Sequence, residues 1–252
     1  MLLIASITVY ETSQGQPRDV DTTVDASATQ EEVTPQQEVT PQEESTPQEE
    51  AVAMAEPTQT SDAQLAETAE LTYTISRFDA IMQKVGTEQG YDWRLMSAIA
   101  YHESRFREDL VSKQGAVGIM QIRPVVAKHF NIPVETIAET ETNIRLAGML
   151  LNELDDLLKI PSSTPEQDRL SIILASYNAG IGHIYDACRL ARSEGADPNS
   201  WAVISGYLKL MSEPEYYNRD VVKYGKFNGS AQTLGYVREV MKKYNEYRNL
   251  AS

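Results

Sequence analysis

The 252-residue chain has a single cysteine, Cys188, so no intrachain disulfide is possible. Its three histidines, His102, His129 and His183, stand far apart. A helical zinc motif opening at His102-Glu103 would need a second histidine four residues on, where Phe106 stands, and no metal site is expected. Basic residues are outnumbered, 22 Lys and Arg against 37 Asp and Glu, which argues against a nucleic-acid partner. Long apolar runs are missing too. The opening MLLIASITVY, residues 1–10, is too short to span a bilayer. No segment alternates as a strand for more than a few residues.

Residues 1–10 resemble the hydrophobic part of a signal peptide, although a basic leading region and a clear cleavage site are lacking. The expectation is a truncated export signal; the alternative is an unstructured terminus on a cytoplasmic protein. No cysteine follows the run, so a bacterial lipoprotein anchor is not supported. The acidity is concentrated at this end: residues 1–70 hold fifteen acidic residues and one basic one, Arg18. Residues 11–70 are poor in aromatics and contain a repeat over 33–38, 39–44 and 45–50, built on Thr-Pro-Gln. Such a stretch buries too little apolar surface to offset its ordering entropy, and its like charges repel. A disordered acidic tether is expected there. Residues 71–252, with 21 basic and 22 acidic residues, read as an ordinary globular surface.

From residue 71 the apolar period is helical. Ile75, Phe78, Met82 and Val85 mark a first helix ending near Gly90, and a second runs through Trp93–Phe106. Pro124 opens a short third. Thr142–Lys159 is long and amphipathic, with Ile144, Ala147, Leu151, Leu154 and Leu158 on one stripe. Thr164 to Gln167 reads as a capping box opening a helix through Ala175, and further helices are expected near 182–194, 199–211 and 231–249. The fold class expected is mainly α, a multi-helix domain behind a disordered acidic segment. Cys188, with Ile184, Ala187 and Ala191 at helical spacing, reads as a small buried side chain; nothing around it supports a thiol nucleophile.

Three segments carry polar groups where apolar ones are expected. Leu95, Ile99, Glu103 and Phe106 share one helix face, and a carboxyl there loses hydration, which raises its pKa toward the range of a general acid. The plainer alternative is a surface glutamate paired with Arg105 or Arg107. Ser112 leads into Gly115, Gly118, Met120 and Gln121, a loop whose glycines let a ligand approach and whose Met-Gln pair suits an N-acetyl sugar. Tyr177-Asn178-Ala179-Gly180 fits a helix C-terminus, with Gly180 left-handed, but that does not account for Tyr177 and Asn178 standing together.

In this order, Glu103-Ser104, then Ser112 with Gly115-Ala116-Val117-Gly118-Ile119-Met120-Gln121, then Tyr177-Asn178-Ala179-Gly180 resemble the soluble lytic transglycosylase family, which has a goose-lysozyme-like fold. Asn143-Ile144 with Gly148, and Tyr236-Val237, also match. Over about residues 75–248, Glu215-Tyr216-Tyr217, Tyr224-Gly225 and Gly235-Tyr236-Val237 look most like the catalytic module of the F-type membrane-bound members. Two departures stand out. The acidic stretch occupies the place of the solute-binding-like module of those enzymes, and Arg123 replaces an apolar residue, which bears on a sugar subsite.

The resemblance implies peptidoglycan glycan strands as substrate. Glu103 would be the single catalytic acid/base at the bond between N-acetylmuramic acid and N-acetylglucosamine, and the product a 1,6-anhydro ring. It implies Ser104, Ser112, Gly118, Met120, Gln121, Tyr177, Asn178 and Tyr236 as substrate-binding residues, and no metal or cofactor. Ser112, Met120 and Gln121 would line the groove, Tyr177 and Tyr236 would flank the carboxyl, and Asn178 would orient its neighbours. Ordinary glycosidases need two carboxylates; an intramolecular hydroxyl nucleophile removes that need. A lysozyme-type hydrolase on the same fold and a non-catalytic wall-binding module are the alternatives. The expected setting is periplasmic or envelope-associated, and a monomer is expected.

Overall fold

A computed structural model of the chain describes residues 73–250. The expected signal segment (1–10) and acidic tether (11–70) lie outside the described residues. The described part is mainly helical, as its apolar period implies, with isolated bridges at Val111, Val117 and Ile122.

Helix α1 (Asp79–Gln89) buries Met82 and Val85 and ends at Gly90, whose amide bonds back to the carbonyls of Gly86 and Thr87. Helix α2 (Trp93–Ser104) starts at Asp92, whose side chain accepts from the Arg94 amide and so satisfies one of the open donors of the first turn. Six consecutive residues, Leu95 to Ala100, are buried, because α1 covers one flank and the last helix the other. The helix stops at Ser104, earlier than the apolar spacing indicates. Arg105 and Phe106 both take left-handed backbone angles, φ 57° and 61°. Phe106 therefore leaves the stripe it was expected to share with Glu103.

Pro124 does open α3 (Pro124–His129), where its missing N–H costs nothing. Helix α4 (Thr140–Leu158) carries the expected stripe, with Ile144, Ala147, Leu151 and Leu154 buried. Helix α5 (Glu166–Ala179) differs from expectation at both ends. Pro165 is its N-cap and no side chain caps it, so the Thr164 capping box is not formed; Thr164 instead closes a turn onto the Pro161 carbonyl. Its C-terminus extends past Ala175 to Ala179. All nine residues from Leu170 to Asn178 are buried, since α4, α6, α7 and α9 surround it. A helix buried on every side has no polar stripe to mark its limits. Ile172, Ile173 and Leu174, each 1% exposed, contribute roughly 2 kcal/mol apiece by burial.

Gly180 joins α5 directly to α6 (Ile181–Ser193). It has the positive φ foreseen but not the left-handed helical conformation: at φ 86°, ψ 140° it caps both helices at once. Only glycine occupies that region at little cost. Helices α7 (Trp201–Leu210), α8 (Pro214–Tyr217) and α9 (Ser230–Asn249) complete the body. Helix α9 lies against α2 and α5 and presents Thr233, Tyr236 and Val237 to them. Cys188 is buried in α6, and burial pushes its thiol above the usual range, as an inert core residue requires.

Candidate active site

Glu103 occupies the last turn of α2 and is 5% exposed. The ion-pair alternative is not formed: Arg105 lies over the Tyr101 ring, 4.1 Å from its centroid, and Arg107 Nε donates to the Ser104 carbonyl at 3.1 Å. Burial removes the hydration that an ionised carboxylate needs and pushes the Glu103 pKa up to about 8, opposed in part by the Tyr236 hydroxyl. No second carboxylate is among the groups acting on it. Glu103 Oε2 and the Tyr236 hydroxyl both remain without a well-formed hydrogen bond among the described residues. They are buried polar atoms close enough for each to act on the other's titration.

Tyr236 comes from α9 and Tyr177 from α5, and both are buried beside Glu103. Burial, and then the charge of Glu103, pushes both phenols well above their ordinary value. The His102 ring stands edge-on to Tyr236, centroids 4.7 Å apart at 80°.

The loop between α2 and α3 is fastened from three directions. Ser104 Oγ donates to the Ile119 carbonyl at 2.8 Å, and the Tyr177 hydroxyl to the Met120 carbonyl at 2.9 Å. From α4, Asn143 Oδ1 accepts from the Met120 amide at 2.7 Å, while its Nδ2 donates to the Val117 and Ile137 carbonyls, each at 2.9 Å. Gly118 has φ +79°, and a Cβ there would stand 2.7 Å from the Asn143 amide nitrogen. Glycine is required twice over, by the backbone angle and by Asn143. Gln121, itself at φ 52°, is held by its own Nε2, which donates to the Leu110 and Gly118 carbonyls at 3.0 and 2.9 Å.

Of the residues expected to bind substrate, Tyr177 and Tyr236 stand beside Glu103, and several of the others are occupied with holding one another. Ser104, 2% exposed, donates its hydroxyl to the loop. Met120 is fully buried and Gln121 4% exposed. Asn178 Oδ1 accepts from Thr233 Oγ1 at 3.0 Å, fixing the end of α5 to α9. Ser112 is half-buried and closes a turn: its Oγ accepts from the Ala116 amide at 3.0 Å. Two residues without an assigned role emerge. Asn143 is the hub of the loop and Thr233 its counterpart at Asn178. The signal for Asn143 was present, a carboxamide just before the apolar stripe of α4, but its partners were not.

Among the described residues no cluster of His, Cys, Asp or Glu is arranged to hold a metal ion. No described helix is long and apolar enough to cross a membrane.

The family model for the transglycosylase SLT domain matches residues 80–199. A membrane-bound lytic murein transglycosylase F from Actinobacillus succinogenes is 33% identical over 175 residues, covering 69% of this chain and 34% of that protein. Its counterpart from Marinobacter nauticus is 34% identical over 173 residues, covering 68% and 33%. The chain therefore spans about a third of the length of the curated relatives it matches. Among solved structures, the 70 kDa soluble lytic transglycosylase of Escherichia coli aligns over 69% of this chain and 24% of its own, at 22% identity and TM-score 0.45. The lytic transglycosylase Slt of Pseudomonas aeruginosa does so over 67% and 23%, at 21% and 0.45.

Proposed function

The chain carries a transglycosylase SLT domain over residues 80–199, and from that premise we propose that it is a peptidoglycan lytic transglycosylase, with residues 71–252 as its catalytic domain and Glu103 as its only acid/base. The observation that supports this most is the state of Glu103: a buried carboxyl, pKa about 8, without a second carboxylate acting on it. At neutral pH such a group carries its proton and can give it away.

Glu103 donates that proton to the glycosidic oxygen between N-acetylmuramic acid and N-acetylglucosamine, and the bond from that oxygen to C1 breaks. The resulting carboxylate then takes the proton of the muramoyl C6 hydroxyl as its oxygen bonds to C1. The 1,6-anhydro ring closes, no water is consumed, and Glu103 regains its proton. A hydroxyl already held within the substrate supplies the proximity that captured water lacks. The Tyr236 hydroxyl, which already acts to lower the Glu103 pKa, donates to the carboxylate formed midway. Tyr177, whose hydrogen is given to Met120, turns lone pairs toward the positive charge developing at C1. Ser112, Gly118, Met120 and Gln121 form the wall of the sugar groove, and Asn178 holds α5 against α9. The substrate is found outside the cytoplasm, so the protein works in the periplasm or at the cell envelope, as a monomer and without a cofactor.

Mass spectrometry of purified sacculi digested with the full chain tests this. Muropeptides ending in the anhydro ring are expected. Products heavier by one water would mean a hydrolase, and no products at all a wall-binding module. Cleavage by the Glu103→Gln variant at the parent rate would overturn the site assignment.

A further inference from the structure

We propose that His102 is a positioning residue of this site: through the edge of its ring it holds Tyr236 against the Glu103 carboxyl. This rests on the transglycosylase reading above and deepens it.

His102 and Glu103 are neighbours on α2 but point to different sides of its last turn. Glu103 turns inward between α5 and α9, while His102 meets α9 at the ring of Tyr236, 4.7 Å between centroids and at 80°. An edge-to-face contact of this kind directs the positive rim of one ring into the negative face of the other and so fixes the angle of both. Tyr236 needs such a fixture. The polar contact of its hydroxyl is with the Glu103 carboxyl itself and falls short of a well-formed hydrogen bond, so it sets the ring's rotation only loosely. Tyr177 differs in this respect, being tied by its hydroxyl to the Met120 carbonyl. The two phenols beside Glu103 are thus held by different means, one at its tip and one at its ring.

The groups facing His102 agree with a neutral packing ring. Burial, and then the charge of Arg105 just past the end of its helix, lowers its pKa, and Glu239 on α9 opposes this in part. The imidazole is uncharged at neutral pH, and its Nδ1 is buried without a partner. A nitrogen left unpaired in a half-buried ring is a cost that a hydrocarbon ring of similar size would avoid. The contact recorded for this side chain is that of its ring with Tyr236.

The test compares full-length His102→Leu, which keeps the volume but has no ring edge, with His102→Phe, which keeps the edge, and with Glu103→Gln. On sacculi, His102→Leu is expected to lower kcat about tenfold with KM unchanged, within the 100-fold that an ångström of misplacement costs. His102→Phe restores most of that loss. A second readout needs no turnover: the pH midpoint at which Glu103→Gln gains stability over its parent reports the ionisation of Glu103. That midpoint moves in the His102→Leu background, because a loosened Tyr236 changes both the hydration of the carboxyl and the hydroxyl contact that lowers its pKa, and returns with His102→Phe. Parent kcat and an unmoved midpoint in His102→Leu would overturn the inference, as would a Phe variant impaired as deeply as the Leu one. If the parent and Glu103→Gln cleave nothing, the transglycosylase reading fails, while the midpoint still decides whether His102 holds Tyr236.

Discussion

The hydroxyl of Tyr177 donates to the backbone carbonyl of Met120 at 2.9 Å, joining helix α5 to the loop ahead of α3 across 57 positions of sequence. Through that bond the Tyr-Asn-Ala-Gly segment and the Met-Gln segment become one wall, against which Glu103 is buried. The Tyr177→Phe variant keeps the ring but leaves the buried Met120 carbonyl with its Tyr177 bond unmade. A stability loss of about 1–2 kcal/mol is expected in chemical denaturation, with a larger loss of cleavage than stability alone explains.

Glu103 is held against its own preference for water, and removing its charge should relieve the fold. Its pKa rises from 4.5 in the unfolded chain to about 8 in the folded one. Between those values the folded state binds a proton that the unfolded state has lost. Stability conferred by the protonated form is complete below pH 4.5 and declines as pH rises through about 8. Glu103→Gln, which does not ionise, should match its parent below pH 4.5 and exceed it by on the order of 3 kcal/mol at pH 7. Thermal denaturation across pH measures the difference; a constant gap would refute the assigned burial cost.

The same pKa governs turnover. The reaction begins with a protonated Glu103, so the rate on sacculi should fall as pH passes about 8, in proportion to the acid form that remains. A rate still rising through pH 9 would exclude Glu103 as the proton donor.

Gly118 tolerates no side chain. An alanine Cβ there would approach the Asn143 carboxamide at 2.7 Å, at a backbone φ of +79°. Gly118→Ala should cost at least about 2 kcal/mol and displace the Met120 amide from Asn143. Asn143→Ala should cost a similar amount, about 1–3 kcal/mol, by removing the bonds to the Met120 amide and the Ile137 carbonyl and one of the two that the Val117 carbonyl accepts, the other coming from the Ile122 amide. Urea denaturation of both variants checks this, and cleavage should fall alongside stability in each.

Cleavage should be indifferent to metal removal. The proposed proton shuttle uses one carboxyl and the substrate's own hydroxyl, so dialysis against a chelator should leave the rate on sacculi unchanged. A loss restored by a divalent cation would require a different mechanism.

Helix positions were largely legible in the sequence, because the 3.6-residue period is a local property. The stripe of α4 and the proline opening α3 were read from residues within one or two turns of each other. The errors arose where packing overrides local preference. The stop at Ser104 depends on two successive left-handed residues, Arg105 and Phe106, neither of them glycine. The true length of α5 was hidden because four helices enclose it and no polar stripe marks its ends. At the site, residue identities were readable but their duties were not. Ser104 follows Glu103 in sequence, but that its hydroxyl donates to the Ile119 carbonyl was not readable there.

By itself, then, the chain's residue order determined a helical body and one carboxyl on an apolar helix face, since both follow from contacts within a few turns. The tertiary structure alone decided how far that carboxyl is removed from water, and which polar side chains hold the loop rather than face the groove. Both depend on helices distant in sequence: α5 and α9 bring Tyr177 and Tyr236 to Glu103, and α4 brings Asn143 to Gly118. Desolvation and hydrogen-bond pairing belong to the assembled surroundings of a group, and no local pattern encodes them.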